Sequence, residues 1–236
     1  MTQSETPNPP SRAARKSAGA RRSIVVYATL TTAVALAYLA GEAAMPAREP
    51  PPQPVVEIQP PDKDPADAEI EAMLCPEIMP VERLWRYIVV HHSATHRGTL
   101  ESITQSHRKI AFDDAGYHFI INNGVAEGTY DGQITPTPRW FDQRVGAHCR
   151  VVNHPEFNDA GIGICLIGNF DLYRPTEAQM VSLERLVTVL RRRYDVPIDR
   201  IVGHRELKAT DCPGKLFPMD TFLMDLRRAY VVEHSK

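Results

Sequence analysis

Residues 201–217 read IVGHRELKATDCPGKLF and contain two side chains of metal-ligand type, His204 and Cys212. A short apolar run, which predicts a strand, ends at His204, and a polar loop then leads to Cys212 and its Pro-Gly turn. Imidazole nitrogen and thiolate sulfur are the ligands that zinc, a borderline-soft divalent ion, prefers. Two ligands alone are weak evidence of a site, so this reading requires a third ligand elsewhere in the chain.

The segment YIVVHHSAT at residues 87–95 offers that third ligand. Its apolar, β-branched beginning predicts a buried strand that ends at His91 and His92. Because neighbouring residues of a strand point to opposite faces, at most one of these two histidines can face a shared metal ion.

Strand-like and helix-like segments alternate through this part of the chain. Apolar runs predict strands at 87–90, 117–122, 162–167 and 201–202, and periodic patterns predict helices at 99–110, 176–194 and 219–230. The helix at 176–194 has the clearest signal, a capping box of Thr176 and Gln179 followed by an apolar stripe. This alternation predicts an α/β fold with a mixed central β-sheet flanked by helices.

Residues 123–144 separate two of these predicted elements. Asn123-Gly124 is a strong hairpin signal, so we expect the strand before it to pair with residues 125–130. Residues 131–144 contain two prolines and show no periodicity, which predicts a surface loop.

The N-terminal part of the chain has a different character. Residues 1–22 are polar and basic and predict a disordered cytoplasmic tail, and residues 23–41 predict a transmembrane anchor or a cleaved signal segment. The uncharged run of this segment would span about 27 Å as a helix, close to the roughly 30 Å of a bilayer core. Residues 42–79 predict a proline-rich linker with a short helix beginning at Asp64-Pro65, and residues 80–236 predict the globular domain. Since basic flanks stay inside, this domain is expected outside the cytoplasmic membrane, or secreted if the segment is cleaved.

Charge limits the possible partners of the chain, and cysteine content limits its possible disulfide bonds. The first 22 residues hold five of the 27 basic and one of the 29 acidic side chains, so the remainder, with 22 basic and 28 acidic residues, is acidic. An acidic domain gives no reason to expect a nucleic-acid partner. If Cys212 holds a metal, Cys75, Cys149 and Cys165 remain, and at most one intramolecular disulfide is possible.

Five motifs occur in one order along the chain: VHHSAT, GYHFII, VGAH, GIGICLIGNF and HRELKATDCP. Over about residues 84–230 this series resembles the zinc-dependent N-acetylmuramoyl-L-alanine amidases, the superfamily that includes peptidoglycan recognition proteins. The resemblance implies that His91, His204 and Cys212 ligate zinc. Three protein ligands with an open fourth position are the pattern of a catalytic zinc site.

The resemblance also implies roles for residues around that site. Tyr117 would face the reacting oxygen, Thr210 would stand where relatives carry a lysine or a threonine, and His148 and Asn153 would contact the glycan–peptide substrate. Cys165 departs from the cytoplasmic recycling branch of the family, which has a glutamate there as general base. We therefore expect Cys165 to be a core cysteine and leave the base of this chain unassigned.

The expected activity is hydrolysis of the amide bond between N-acetylmuramic acid and L-alanine in peptidoglycan, by a monomer tethered to the membrane. The alternative is a recognition module that binds peptidoglycan without zinc and without catalysis. A membrane-anchored structural or metal-storage domain and a soluble recycling amidase are further alternatives, the last disfavoured by the N-terminal apolar span.

Overall fold

The computed structural model of the chain describes residues 64–75, 82–110 and 112–234. In this part of the chain one sheet contains five strands: β1 Tyr87–His92, β2 Phe119–Asn123, β3 Asp131–Pro136, β4 Gly161–Leu166 and β5 Ile201–Gly203. Their order across the sheet is β3-β2-β4-β1-β5. The first strand in the chain therefore lies between the last two, which brings distant parts of the sequence together.

The pairing of the strands is mixed. β1 runs parallel to both β4 and β5, β2 runs parallel to β4, and β2 and β3 are antiparallel. The predicted α/β class with a mixed central sheet is confirmed. The carboxyl ends of β1, β4 and β5 meet at one edge of the sheet, which is where open α/β sheets bind their ligands.

Helices cover the sheet, and in the described residues they are α1 Pro65–Leu74, α2 Leu100–Arg108, α3 Pro138–Phe141, α4 Glu156–Asp159, α5 Glu177–Tyr194, α6 His204–Leu207 and α7 Met219–His234. Helix α5 begins at the predicted capping box, in which Thr176 accepts a hydrogen bond from the backbone of Gln179. Leu183, Val187 and Leu190 of its predicted stripe are fully buried. Each such side chain contributes about 1.5–3 kcal/mol through its removal from water.

The hairpin after β2 differs from its prediction. The partner strand is β3 Asp131–Pro136, and residues 125–130 form the connection instead. The prolines of the segment concealed this strand, yet β3 lies at the edge of the sheet, where a missing backbone donor is tolerated.

The predicted surface loop at 131–144 is also wrong, because β3 and α3 occupy most of it. Trp140 of α3 is fully buried and packs against Phe119, with ring centroids 4.7 Å apart. Nε1 of Trp140 donates to the backbone oxygen of Leu74, 3.3 Å away, so this segment joins α1 to the sheet.

Helix α1, which the sequence pattern places in the linker, packs against α5. Its N-cap is Asp64, whose side chain accepts from the backbone of Ala66 at 2.9 Å. Ile70 and Leu74 belong to the main hydrophobic core together with residues of α5. In the folded chain this helix is therefore an outer layer of the domain.

Across the residues that the structure describes, no helix has both the length and the apolar character needed to cross a membrane. The predicted tail at 1–22, the predicted anchor or signal at 23–41 and most of the predicted linker lie outside the described residues.

Candidate metal centre

Three side chains of metal-ligand type converge at the carboxyl edge of the sheet. Val90 of β1 is the register partner of Gly203 of β5, and the next residues are His91 and His204, whose ring centroids lie 4.7 Å apart. Sγ of Cys212 is 3.6 Å from Nδ1 of His91. One ligand atom from each of the three lies within 4.8 Å of the others. The fold thus assembles the trio that the sequence pattern singled out.

The loop that carries Cys212 is fixed to the short helix α6. The backbone nitrogen of Arg205 donates to the oxygen of Cys212 at 2.7 Å, and the Arg205 guanidinium donates to the oxygen of Gly214 at 2.7 Å. Because Arg205 directly follows His204, one residue positions the loop against the histidine. Gly214 has φ 109°, in the left-handed region that favours glycine.

His91 and His92 point to opposite faces of β1, as strand alternation requires. Nδ1 of His92 accepts a hydrogen bond of 3.1 Å from the backbone nitrogen of Phe170, and its ring packs beside the Phe170 ring. His92 therefore supports the loop after β4 and does not face the trio.

Burial sets the protonation of the candidate ligands. It lowers the pKa of His91 well below the usual value, and the neighbouring His148 and His204 lower it further. Burial also lowers the pKa of His204, so both imidazoles are neutral and keep a lone pair for a cation. The pKa of Cys212 is raised to about 11, mainly by burial, and a divalent cation beside Sγ would reverse that effect and hold a thiolate.

The donor set fits a borderline-soft divalent ion. Two imidazoles and a thiol are the ligand types such an ion prefers, and a hard oxygen-seeking ion such as Mg²⁺ would not select them. Nε2 of His204 is buried and has no hydrogen-bond partner among the described residues. A buried ring nitrogen left unsatisfied costs free energy unless an ion or a water molecule engages it, so this atom is a candidate donor to a bound cation.

Tyr117 lies beside this trio, just before β2. Its ring centroid is 5.1 Å from that of His91, and the residue is half-buried. Burial raises the pKa of Tyr117 well above the usual range, and the thiols of Cys165 and Cys212 raise it further. The phenol therefore stays protonated and can donate a hydrogen bond at any physiological pH.

Comparison with known proteins identifies the family of this domain. A family described as N-acetylmuramoyl-L-alanine amidase matches residues 81–215. The chain belongs to this amidase family. Among its relatives are a peptidoglycan-recognition protein of Drosophila simulans, 31% identical over 55% of this chain and 69% of that protein, and the endolysin of Escherichia phage T7, 33% identical over 54% of this chain and 79% of that protein. A similar solved structure is the endolysin N-acetylmuramoyl-L-alanine amidase LysCS from Clostridium intestinale, with a TM-score of 0.52, 28% identity, and coverage of 63% of this chain and 89% of that one.

In this amidase domain, Thr210 and Cys165 flank the trio in different ways. Thr210 is exposed, and its Oγ1 accepts a hydrogen bond of 3.3 Å from the backbone nitrogen of Cys212. Cys165 is fully buried in β4, and burial raises its pKa well above the usual value. A buried thiol that stays protonated is a poor general base, in agreement with its expected place in the core.

The two residues implied in substrate binding lie in different surroundings. His148 is only 8% exposed, and both of its ring nitrogens are hydrogen-bonded inside the protein. Asn153 lies in an exposed turn with φ 63°. No hydrogen bond or ring contact among the described residues joins Asn153 to the trio.

Asn158 holds the backbone around His148, a role that the sequence pattern did not indicate. Its Oδ1 accepts from the backbone nitrogens of His148 and Cys149, at 3.1 and 3.0 Å, and its Nδ2 donates to the oxygen of Cys149 at 2.7 Å. It follows the VGAH motif by ten residues, and nothing in its local sequence marks that contact.

Proposed function

We propose that the chain is a zinc-dependent N-acetylmuramoyl-L-alanine amidase that cleaves the amide bond between N-acetylmuramic acid and L-alanine in peptidoglycan. The observation that carries the proposal is the convergence of His91, His204 and Cys212, with ligand atoms within 4.8 Å of one another. A set of three protein ligands leaves a fourth position open, as catalytic sites require. Zinc in this position would supply Lewis-acid polarisation of the scissile carbonyl and activation of water.

The residues of the chain would bind the zinc ion and stabilise the negative charge that develops on the substrate during the reaction. Neutral His91 and His204 keep their lone pairs because burial depresses their pKa values. The protonated hydroxyl of Tyr117 would donate to the oxyanion that develops on the substrate carbonyl. Thr210 accepts from the backbone of Cys212, so its own hydroxyl proton is free to donate toward the same charge.

The direct test uses the purified full chain and a soluble muropeptide with an intact stem. Mass analysis should detect the free peptide and the free glycan, and a chelator should abolish both until zinc is restored. The chain with Cys212→Ser is the matched control and should release neither. Product formation that is unchanged by exhaustive chelation would contradict the zinc mechanism.

A second candidate function is binding to peptidoglycan without cleavage. The observation that favours it is the 31% identity to a relative named as a peptidoglycan-recognition protein. Binding of the zinc-loaded chain to cell walls with no release of peptide would select this function. A purified chain that holds stoichiometric zinc and releases peptide would exclude it.

We also propose that residues 23–41 anchor the chain in the membrane or direct its export, that the amidase domain acts outside the cytoplasm, and that it acts as a monomer. Support comes from the uncharged run at 23–40 and from Arg21 and Arg22 directly before it. Protease added to intact spheroplasts should remove the domain, whereas full protection would place it inside the cell. Light scattering of the purified chain tests the monomer.

A further inference from the structure

His148 occupies a slot that holds its ring in one position. The Asn158 carboxamide fixes the backbone on either side of the residue, as described above. Two glycines make room for the imidazole: a Cβ on Gly163 would lie 2.3 Å from Cδ2 of His148, and one on Gly146 would lie 2.5 Å from the same atom. Neither position could carry a side chain unless the ring moved.

Both nitrogens of that ring are engaged in one continuous chain of hydrogen bonds. Nε2 of His148 is 3.2 Å from the backbone oxygen of Gly161, and Nδ1 of His148 is 3.0 Å from Nε2 of His91. On the far side of the His91 ring, Nδ1 is 3.6 Å from Sγ of Cys212. The chain of contacts therefore runs from a backbone carbonyl of β4 to the candidate metal centre.

The backbone carbonyl of Gly161 determines which atom donates and which accepts in each of these hydrogen bonds. A carbonyl oxygen can only accept, so Nε2 of His148 carries a proton. His148 is only 8% exposed, and its two ring hydrogen bonds go to the Gly161 carbonyl and to His91, so a charged ring would be a buried cation with no anion bonded to it; the ring is therefore neutral. Nδ1 of His148 is then an acceptor, and the proton between the rings belongs to Nε2 of His91. The other nitrogen of the buried His91 ring, Nδ1, is left with a bare lone pair and faces Cys212, because a second proton on this ring would place a charge between His148 and a thiol, with no anion bonded to it.

We propose that His148 is a positioning residue that, through the carbonyl of Gly161, holds His91 in the tautomer whose Nδ1 lone pair faces the metal centre. This inference rests on the proposed function, since it assigns the ligand atom of the proposed zinc site. The opposite tautomer of His91 would set two bare nitrogens against each other across 3.0 Å and aim an N–H at the metal. Partners that orient a metal-ligating histidine in this way typically contribute about 10–100-fold to metal affinity.

The tautomer can be measured on the metal-free full chain, with no reference to activity. Nitrogen-15 spectra of histidine rings distinguish a protonated from an unprotonated ring nitrogen. We expect a protonated Nε2 and a bare Nδ1 for both His91 and His148. A protonated Nδ1 on His91 would overturn the inference.

Three substitutions test whether this arrangement matters for binding. His148→Leu and His148→Asn have nearly the same shape, but only asparagine keeps an oxygen where Nδ1 accepts from His91. Zinc affinity, measured by competition with a chelator, should fall about 10–100-fold in His148→Leu and recover in His148→Asn. Gly163→Ala displaces the ring without altering it and should resemble His148→Leu.

His92→Leu is the matched control, because it removes a buried histidine from the opposite face of the same strand and should leave zinc affinity unchanged. Wild-type affinity in His148→Leu, or no recovery in a folded His148→Asn, would overturn the positioning role while the zinc site stands. A wild-type chain that binds no zinc would overturn the proposed metal centre together with this inference. If His148→Leu does not fold, the wild-type tautomer and the Gly163→Ala affinity still decide the matter.

Discussion

Val90 and Gly203 are register partners in the parallel pair of β1 and β5, and the residues that follow them, His91 and His204, lie side by side. This pairing sets the spacing of two of the three candidate ligands by backbone hydrogen bonds alone. Only the third, Cys212, depends on a loop, and that loop is tied to α6 through Arg205.

We predict that Cys212→Ser abolishes both tight zinc binding and hydrolysis. A neutral hydroxyl cannot replace a thiolate at a zinc–sulfur distance of about 2.3 Å. Metal analysis and a muropeptide assay on the purified protein check this. Cys75→Ser removes an exposed thiol outside the centre and should change neither quantity. Normal zinc content with normal turnover in Cys212→Ser would contradict the assignment.

We predict opposite outcomes for the two adjacent histidines of β1. His91→Ala should lose zinc. His92→Ala should keep zinc but lower the free energy of unfolding by about 1–3 kcal/mol, because the buried backbone nitrogen of Phe170 loses its acceptor. Metal analysis and urea denaturation measure the two effects. Zinc loss in His92→Ala but not in His91→Ala would mean that the two faces are exchanged.

We predict that Tyr117→Phe lowers turnover about 10²–10³-fold, equivalent to roughly 2.7–4 kcal/mol, while zinc content and fold stay intact. The hydroxyl should bond more strongly to the oxyanion than to the ground-state carbonyl, so the loss appears in kcat and KM changes little. The upper part of the range is expected, because Thr210 is uncharged and cannot replace the lost donor with a cation. Steady-state kinetics on a soluble muropeptide provide the measurement. A change below about threefold, at equal zinc content, would give Tyr117 a packing role only.

We predict that Leu74→Ala lowers the free energy of unfolding by about 2–5 kcal/mol. Leu74 is fully buried in the main core although it lies before the family match at 81–215. Glu69→Ala, on the exposed side of α1, is the control and should be nearly neutral. Thermal or urea unfolding of both variants checks the comparison. Equal stability of Leu74→Ala and wild type would mean that α1 is part of the linker and does not stabilise the domain.

Elements with strong local signals were predictable from the sequence. The capping box of Thr176 and Gln179 and the apolar stripe after it specify α5, and ordered motifs specify the trio of His91, His204 and Cys212. For α5 the information lies within a few residues of the helix itself, whereas the trio was implied by the resemblance of motifs spread along the chain to a known family.

Three features that depend on distant partners were not predictable. Strand β3 contains a proline and is recognisable only once its place at the sheet edge is known. The family resemblance implied that His148 contacts the substrate, and nothing in the local sequence indicated that its ring is hydrogen-bonded to His91, 57 positions away. Helix α1 looks like part of a spacer because its apolar face is short, and only the packing of Ile70 and Leu74 reveals where it belongs.

Cys212 and His91 are neighbours in space although 121 positions separate them in the chain. An ion held between them would act as a cross-link that closes the five-stranded sheet and most of the domain into one loop. Unfolding of the strand that carries His91 or of the loop that carries Cys212 would release the ion. Metal occupancy and global stability are therefore thermodynamically linked. Zinc at about 100 times its dissociation constant would add about 2.7 kcal/mol to the free energy of unfolding. Where zinc is scarce, the chain would lose activity and resistance to proteolysis together.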